Sequence, residues 1–254
     1  MIALPRYAEL VKTMTIKEFK LRYRNSALGF AWSLLNPLAM MVILTLVFST
    51  LLRGGIDNFP VFLLPVLLVW RFFSIGTSMA LWSIIGNASL VTKVYFPRWL
   101  LVLSSNLANL IGSTLEFVAL LPLLLALGMR MSWILAFLPA VLAIEFVLIA
   151  GASLPLAALN VYYRDVNQVW DIALQAGFFL CPIIYSASLI PARYALLYSL
   201  NPMTRIIESV RKIFYHDTLP ASYDLLVPLL AGLTLLVFGY TIFVKLEPRF
   251  AEEI

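Results

Sequence analysis

Three ionisable residues, Arg71, Glu116 and Glu145, lie inside stretches otherwise apolar enough to sit in lipid. A charge in the hydrocarbon of a bilayer is costly and is kept where it meets protein, a partner charge or water. Glu116 and Glu145, one in each of two successive stretches, could share a polar contact between helices, relay a proton for a carrier, or line a pore. Arg71 could line a polar path or snorkel outward along its own helix. Little else in the chain is reactive. His216 is the sole histidine, so neither an HExxH zinc motif nor a histidine metal cluster can form, and its Tyr-His-Asp-Thr setting reads as a solvated turn. Cys181 is the single cysteine, which excludes an intrachain disulfide or a thiolate metal cluster. No GxxxxGK[ST] loop is present to cradle nucleotide phosphates, so any ATP that drives this chain must bind another polypeptide. A membrane enzyme would need a paired acid and base or a metal, and neither is found.

The elements that must position these residues follow from composition. With 62% hydrophobic and 12% charged residues and a mean hydropathy of +0.95, the chain reads as an integral membrane protein. Its net charge of +5 sits beside apolar spans rather than in a nucleic-acid patch. A cleavable signal peptide is not expected, because the charged start is too long and the apolar run after it too extended. Crossing roughly 30 Å of hydrocarbon takes about 20 apolar residues. Six segments qualify, near 30–52, 60–86, 99–127, 132–159, 168–188 and 225–245. With six spans, eleven Lys and Arg fall on one side, including Lys93, Arg98, Arg164 and six in the first 24 residues, against six on the other. Both termini are therefore expected to be cytoplasmic.

Residues 3–24 read as an amphipathic helix with Leu4, Tyr7, Leu10, Val11, Met14 and Leu21 on one arc and Arg6, Glu9, Lys12, Lys17, Lys20 and Arg24 largely opposite. Such a helix belongs in the membrane interface. Ile16, Phe19 and Tyr23 form a second apolar strip on its polar side, which lipid does not explain and a protein neighbour would. In the long stretch 189–224, Asn201-Pro202 reads as a helix start, followed by Ile206, Ile207, Val210, Ile213 and Phe214 at helical spacing. With the apolar run before it, this makes a helix pair that either dips into the outer leaflet and returns or lies on the outer surface. Two loops look built for a partner or for interfacial anchoring. One is Lys93-Val94-Tyr95-Phe96-Pro97-Arg98; the other holds Arg164 and Asp165 beside two tyrosines, a pair placed to brace the end of a span by a charge-assisted hydrogen bond. The aromatic runs Trp70, Phe72, Phe73 and Phe178, Phe179 fit head-group anchoring, packing, or stacking against the C–H faces of sugars.

Six stretches, FKLRYRNSALGFAWSLLNP at 19–37, WRFF at 70–73, KVYFPR at 93–98, LNVYYRDV at 159–166, CPIIY at 181–185 and LNP at 200–202, together resemble one family. It comprises the type-2 permease subunits of ATP-binding cassette exporters for lipid-linked polysaccharides such as O-antigen, with the related teichoic acid exporters. The resemblance implies an all-α integral membrane fold: one transmembrane domain over 1–254, an interface helix over 1–26, a cytoplasmic coupling loop over 87–98 and a periplasmic gate-helix region over 189–224. It implies a homodimer in the cytoplasmic (inner) membrane, two copies of a separate ATPase that carries the ATP and Mg, and an aromatic-lined channel for the glycan. On that carry-over Lys93, Val94, Tyr95, Phe96, Pro97 and Arg98, with Phe19 and Tyr23, face the ATPase. Trp70, Arg71, Phe72, Phe73, Phe178, Phe179 and Tyr185 become channel-lining candidates, and Arg164, Asp165, Glu116 and Glu145 structural polar residues. Arg71 and Cys181 depart from the usual pattern, where an uncharged residue and Ser or Thr are common. The competing readings are a type-2 permease for a small lipid or drug, and a proton-coupled carrier using Glu116 and Glu145.

Overall fold

Apolar runs of this length leave the backbone one local way to pair its own N–H and C=O groups in lipid, and among the described residues every regular element is helical. The structure is a computed structural model that describes residues 3–24, 28–51 and 55–254, with the side chains of all of these except 3–6, 50 and 51. The side chains of Leu4 and Arg6, residue Arg53, and positions 25–27 of the 19–37 stretch lie outside it. In order the helices are α1 (Ala3–Tyr23), α2 (Ala31–Thr45, continuing as a wider turn over Leu46–Leu51), α3 (Phe59–Trp82), α4 (Ala88–Lys93), α5 (Trp99–Ala126), α6 (Leu138–Tyr162), α7 (Val166–Leu180), α8 (Ala195–Leu200), α9 (Pro202–Arg211), α10 (Ser222–Leu246) and α11 (Phe250–Glu253).

Five helical stretches among the described residues are long and apolar enough to cross a membrane: Ala31–Ser49, Phe59–Trp82, Trp99–Ala126, Trp133–Tyr162 and Ser222–Glu253. The span expected over 168–188 takes a different form. Its helix α7 ends after 15 residues, a length of about 22 Å at the α-helical rise. The reason is local: Cys181 precedes Pro182, and a residue before proline is pushed out of the helical region. Cys181 is extended, with φ −84° and ψ 148°.

The hub is α3, whose residues from Val61 to Trp70 are buried on every side, the mark of a helix surrounded by others. Around it pack α2, α5, α6, α7 and α9. Next to this hub, α6 and α10 approach closely through glycine. A Cβ on Gly151 would lie 2.7 Å from the Leu236 amide nitrogen, and one on Gly239 would lie 2.6 Å from the Gly151 carbonyl oxygen. Small residues let two backbones touch, which is how helices associate in a solvent as apolar as their side chains.

Helix α1 lies along α5 rather than alone on a lipid surface. Its half-buried and buried positions follow a stripe from Tyr7 through Leu10 and Val11, Met14 and Thr15, Glu18 and Phe19, to Arg22 and Tyr23, advancing four residues at a time. Because 3.6 residues make a turn, such a stripe drifts about 40° per step. The two strips seen on a helical wheel are thus the two ends of one stripe. The protein neighbour expected for Phe19 and Tyr23 is the chain's own α5, where Gly112 makes room: a Cβ there would sit 3.3 Å from the Tyr23 hydroxyl and 3.2 Å from Arg22 Nη1. Ile16 stays 43% exposed.

Replacing Gly151 by Val forces α6 and α10 apart. The expected cost is about 1–3 kcal/mol, the usual range for overpacking, read as a lower thermal unfolding midpoint of the detergent-solubilised protein, while Ala231→Val on the half-buried side of α10 changes it little.

Candidate functional site

The loop between α3 and α5 is a knob on an anchor. Helix α4 is one and a half turns long, Val94 adopts extended backbone, and Arg98 caps the start of α5. Tyr95 is fully exposed, and Lys93 and Val94 are exposed beside it. Phe96 points the other way, into a cluster with Ile84, Val91, Leu100, Val161 and Phe250. Pro97 and Arg98 are half-buried, and the Arg98 main-chain N–H donates to Glu247 Oε1 at 2.9 Å. Of the six residues of this loop expected to face a partner, three are presented and Phe96 holds them up.

Midway along α3 sits a charge cluster. Glu116 of α5, 2% exposed, lies 3.8 Å from Arg71 Nε and 3.9 Å from Arg22 Nη2. Arg71 Nη1 donates to Asn36 Oδ1 at 2.7 Å, tying α2 to α3. Arg22 Nη1 donates to Asn109 Oδ1 at 3.3 Å, and Asn109 Nδ2 in turn donates to the Phe72 carbonyl at 2.9 Å. Four helices, α1, α2, α3 and α5, thus meet on one buried carboxylate. Glu145 is not part of this cluster. It is fully buried in α6, and neither carboxyl oxygen has a hydrogen-bond partner among the described residues. Of the readings open to the two carboxylates, a shared contact is not formed: Glu116 meets Arg71 and Arg22 instead.

The aromatic runs meet in a seam between α3 and α7. Gly177 lets α7 close on Trp70, since a Cβ there would lie 2.9 Å from the indole ring. Phe178 meets Trp70 edge to face at 6.1 Å, and Phe73 packs against Trp170 at 6.2 Å. Trp170 Nε1 donates to Thr77 Oγ1 at 3.0 Å. Trp70, Phe72 and Phe73 are thereby inside the chain's own fold, Phe72 almost completely. Phe179, 66% exposed, is turned outward. Tyr185 lies past the Cys181 break, its hydroxyl donating to the Phe179 and Leu180 carbonyls at 3.1 and 3.2 Å. The outer face of α7 carries residues that attracted no notice in the sequence. Gln168, Asp171 and Gln175 are exposed at i, i+3 and i+7, and Phe179 continues the row one turn on. Their spacing was the signal available.

At the end of the bundle away from the knob, irregular backbone is gathered by Arg211, which is 2% exposed. Its Nη2 donates to the Pro182 carbonyl at 2.6 Å and to the Ile183 carbonyl at 3.4 Å. Its Nη1 pairs with Glu208, and its guanidinium stacks 3.9 Å over the Phe62 ring. As expected, Asn201 caps α9, accepting from the Met203 and Thr204 amides. Asp224 is buried between Arg205 at 3.1 Å and Lys212 at 2.6 Å. By contrast, Arg164 and Asp165 form no ion pair among the described residues; both side chains are exposed. The chain between α6 and α7 is too short and too solvent-facing to turn them together, and Tyr162 braces that end of α6 instead, donating to the Leu246 carbonyl at 2.8 Å.

Comparison with known proteins places these features in a lineage. A family model described as ABC-2 type transporter matches residues 9–215. The chain is 35% identical over 255 residues to an O-antigen export system permease protein RfbA of Myxococcus xanthus, covering 98% of this chain and 96% of that one. It is 31% identical over 250 residues to an RfbA of Klebsiella pneumoniae, covering 96% and 94%. A polysialic acid transport protein KpsM of Escherichia coli is 26% identical over 209 residues, 80% of each chain.

Glu116→Ala leaves two half-buried guanidinium groups facing each other without their shared carboxylate. Breaking a buried ion pair from one side costs about 3–5 kcal/mol, so little folded protein should be recovered from membranes. Glu116→Gln, which keeps the acceptor oxygen, is expected to lose less, as measured by thermal unfolding in detergent.

Proposed function

Since the chain belongs to the ABC-2 type transporter family, we propose that it is the membrane half of an ATP-driven exporter of lipid-linked polysaccharide. In this reading two identical protomers work with two copies of a separate ATPase in the cytoplasmic membrane, the α4 end and both termini facing the cytoplasm. A transport subunit of this kind performs no bond chemistry itself; its task is to bind, enclose and move. The observation that carries the reading is the exposed row Gln168, Asp171, Gln175 and Phe179 on a helix seated against the hub by its other face. Amide and carboxylate groups facing hydrocarbon are costly. Facing the same row on a second copy, they line a wet path with donors, acceptors and a ring, groups that suit hydroxyl-rich glycans of varied pattern. The exposed apolar neighbours Val169 and Ile172 flank that row.

The mechanism follows from what is joined to what. The exposed Tyr95 and Lys93 would seat in a cleft of the ATPase, and closure of two ATPase subunits on ATP would displace the knob. Both α3 and α5 are continuous with it, and α3 carries α7 through Trp70, Gly177 and the Trp170–Thr77 hydrogen bond. Movement of the knob therefore reaches the lining of the path. A proton carrier lacks comparable support: Glu116 is held by two arginines and Glu145 is sealed inside the protomer.

In proteoliposomes with the partner ATPase, Gln168→Leu combined with Gln175→Leu is expected to leave insertion and ATP hydrolysis intact. Export of lipid-linked glycan should fall by about ten-fold, equivalent to about 1.4 kcal/mol in the limiting step. Undiminished export by the double variant, or export driven by a proton gradient without ATP, would overturn the reading.

A further inference from the structure

The segment after α10 does not trail away from the bundle. Glu247 begins a single tight turn that brings α11 back under the knob. The contacts there are specific in chemistry. Glu247 accepts twice from Arg98: its Oε1 takes the main-chain N–H at 2.9 Å, and its carbonyl takes Nη1. Phe250 is wholly buried, edge to face with Phe243 of α10 at 5.4 Å and with Tyr162 of α6 at 6.2 Å. It shares its cluster with Val91 of α4 and with Phe96, the anchor of the knob. The Tyr162 hydroxyl reaches the Leu246 carbonyl at 2.8 Å, closing the circuit between α6 and α10.

We propose that residues 247–254 form a clasp that carries displacement of the 93–98 knob into α10 and α6, with Glu247 and Phe250 as its positioning residues. This rests on the knob being the seat of the ATPase. The need for a clasp is topological. The knob is continuous with α3 and α5 only; α10 lies far along the chain. A charge-assisted hydrogen bond to the knob's own main chain is short and directional, and an aromatic side chain enclosed by both partners transmits a push as readily as a pull. Beyond the clasp, the glycine contacts of Gly151, Gly232 and Gly239 hold α6 and α10 backbone to backbone. What moves α10 at this end therefore moves α6 with it.

The test uses the full complex, permease with its ATPase, in proteoliposomes. Four quantities are read: permease inserted, ATPase captured, ATP hydrolysed, and lipid-linked glycan exported per ATP. Glu247→Ala is expected to leave the first three within about two-fold and to lower export per ATP by about ten-fold, the scale of an ordinary coupling between two sites. Glu247→Gln keeps an oxygen for the Arg98 N–H and should recover most of the loss, a rescue that bulk destabilisation would not show. If Glu247→Ala reduces insertion, Phe250→Leu tests the apolar half of the clasp while leaving Glu247 to hold Arg98, and lower export per ATP at normal hydrolysis is again expected. Unchanged export per ATP in the well-inserted variant overturns the clasp while leaving the knob in place. Tyr95→Asp is the separate control: if it spares both ATPase capture and export, the knob reading fails and the clasp falls with it.

Discussion

The guanidinium of Arg211 is the interaction on which the half of the molecule away from the knob depends. Once Pro182 ends α7, the carbonyls of Pro182 and Ile183 have no helical partner, and an unpaired backbone group at membrane depth costs several kcal/mol. Arg211 supplies donors to both, is itself neutralised by Glu208, and rests its flat face on Phe62 of the hub. A short α7, a turn at Cys181 and a returning helix pair are all permitted by this one buried cation. The same logic recurs halfway down the bundle, where Glu116 is the buried charge and Arg71 and Arg22 meet it. Each of these groups alone would be prohibitive; each is stable because the fold brings its counterpart from a different helix.

Between those two polar nodes the structure divides into parts that are locked and parts that are merely seated. The hub α3 and the α6–α10 pair are locked, the first by burial on all sides and the second by glycine contacts that leave no side chain to yield. Helix α7 is only seated. No residue of it is fully buried, and it holds to the hub through ring contacts and one indole hydrogen bond. A helix attached in this way costs less to tilt than one enclosed in a core. It is also the helix whose open face carries the polar row.

Much of this was legible in the residues, and the misses are instructive. The α9 start could be read because Asn-Pro is a local signal whose meaning does not depend on the rest of the fold. The all-helical membrane architecture could be read because it follows from composition. Partners were harder. Chain order offers Glu145 as one possible neighbour of Glu116, whereas its counterparts lie on α3 and α1. Arg164 and Asp165 are adjacent and of opposite charge, but adjacency along the chain does not turn two side chains together. The early end of α7 was signalled by Pro182 yet masked by hydropathy that continues past it. On α1, 21 residues long and so about six turns, one drifting stripe reads on a helical wheel as two.

The setting of Asp224 bears on how the chain enters its membrane. Residues 189–224 hold four cations, Arg193, Arg205, Arg211 and Lys212, and a bare tally would make this segment a weak argument against its own translocation. In the folded chain Arg205 and Lys212 share Asp224, and Arg211 belongs to Glu208. In the orientation proposed above, with those pairs formed before the segment is delivered across, what the insertion machinery moves is a hairpin of four cations and three carboxylates, Glu208, Asp217 and Asp224, with a net charge of +1. Residue-by-residue charge counting then overstates the electrostatic work of biogenesis at this segment.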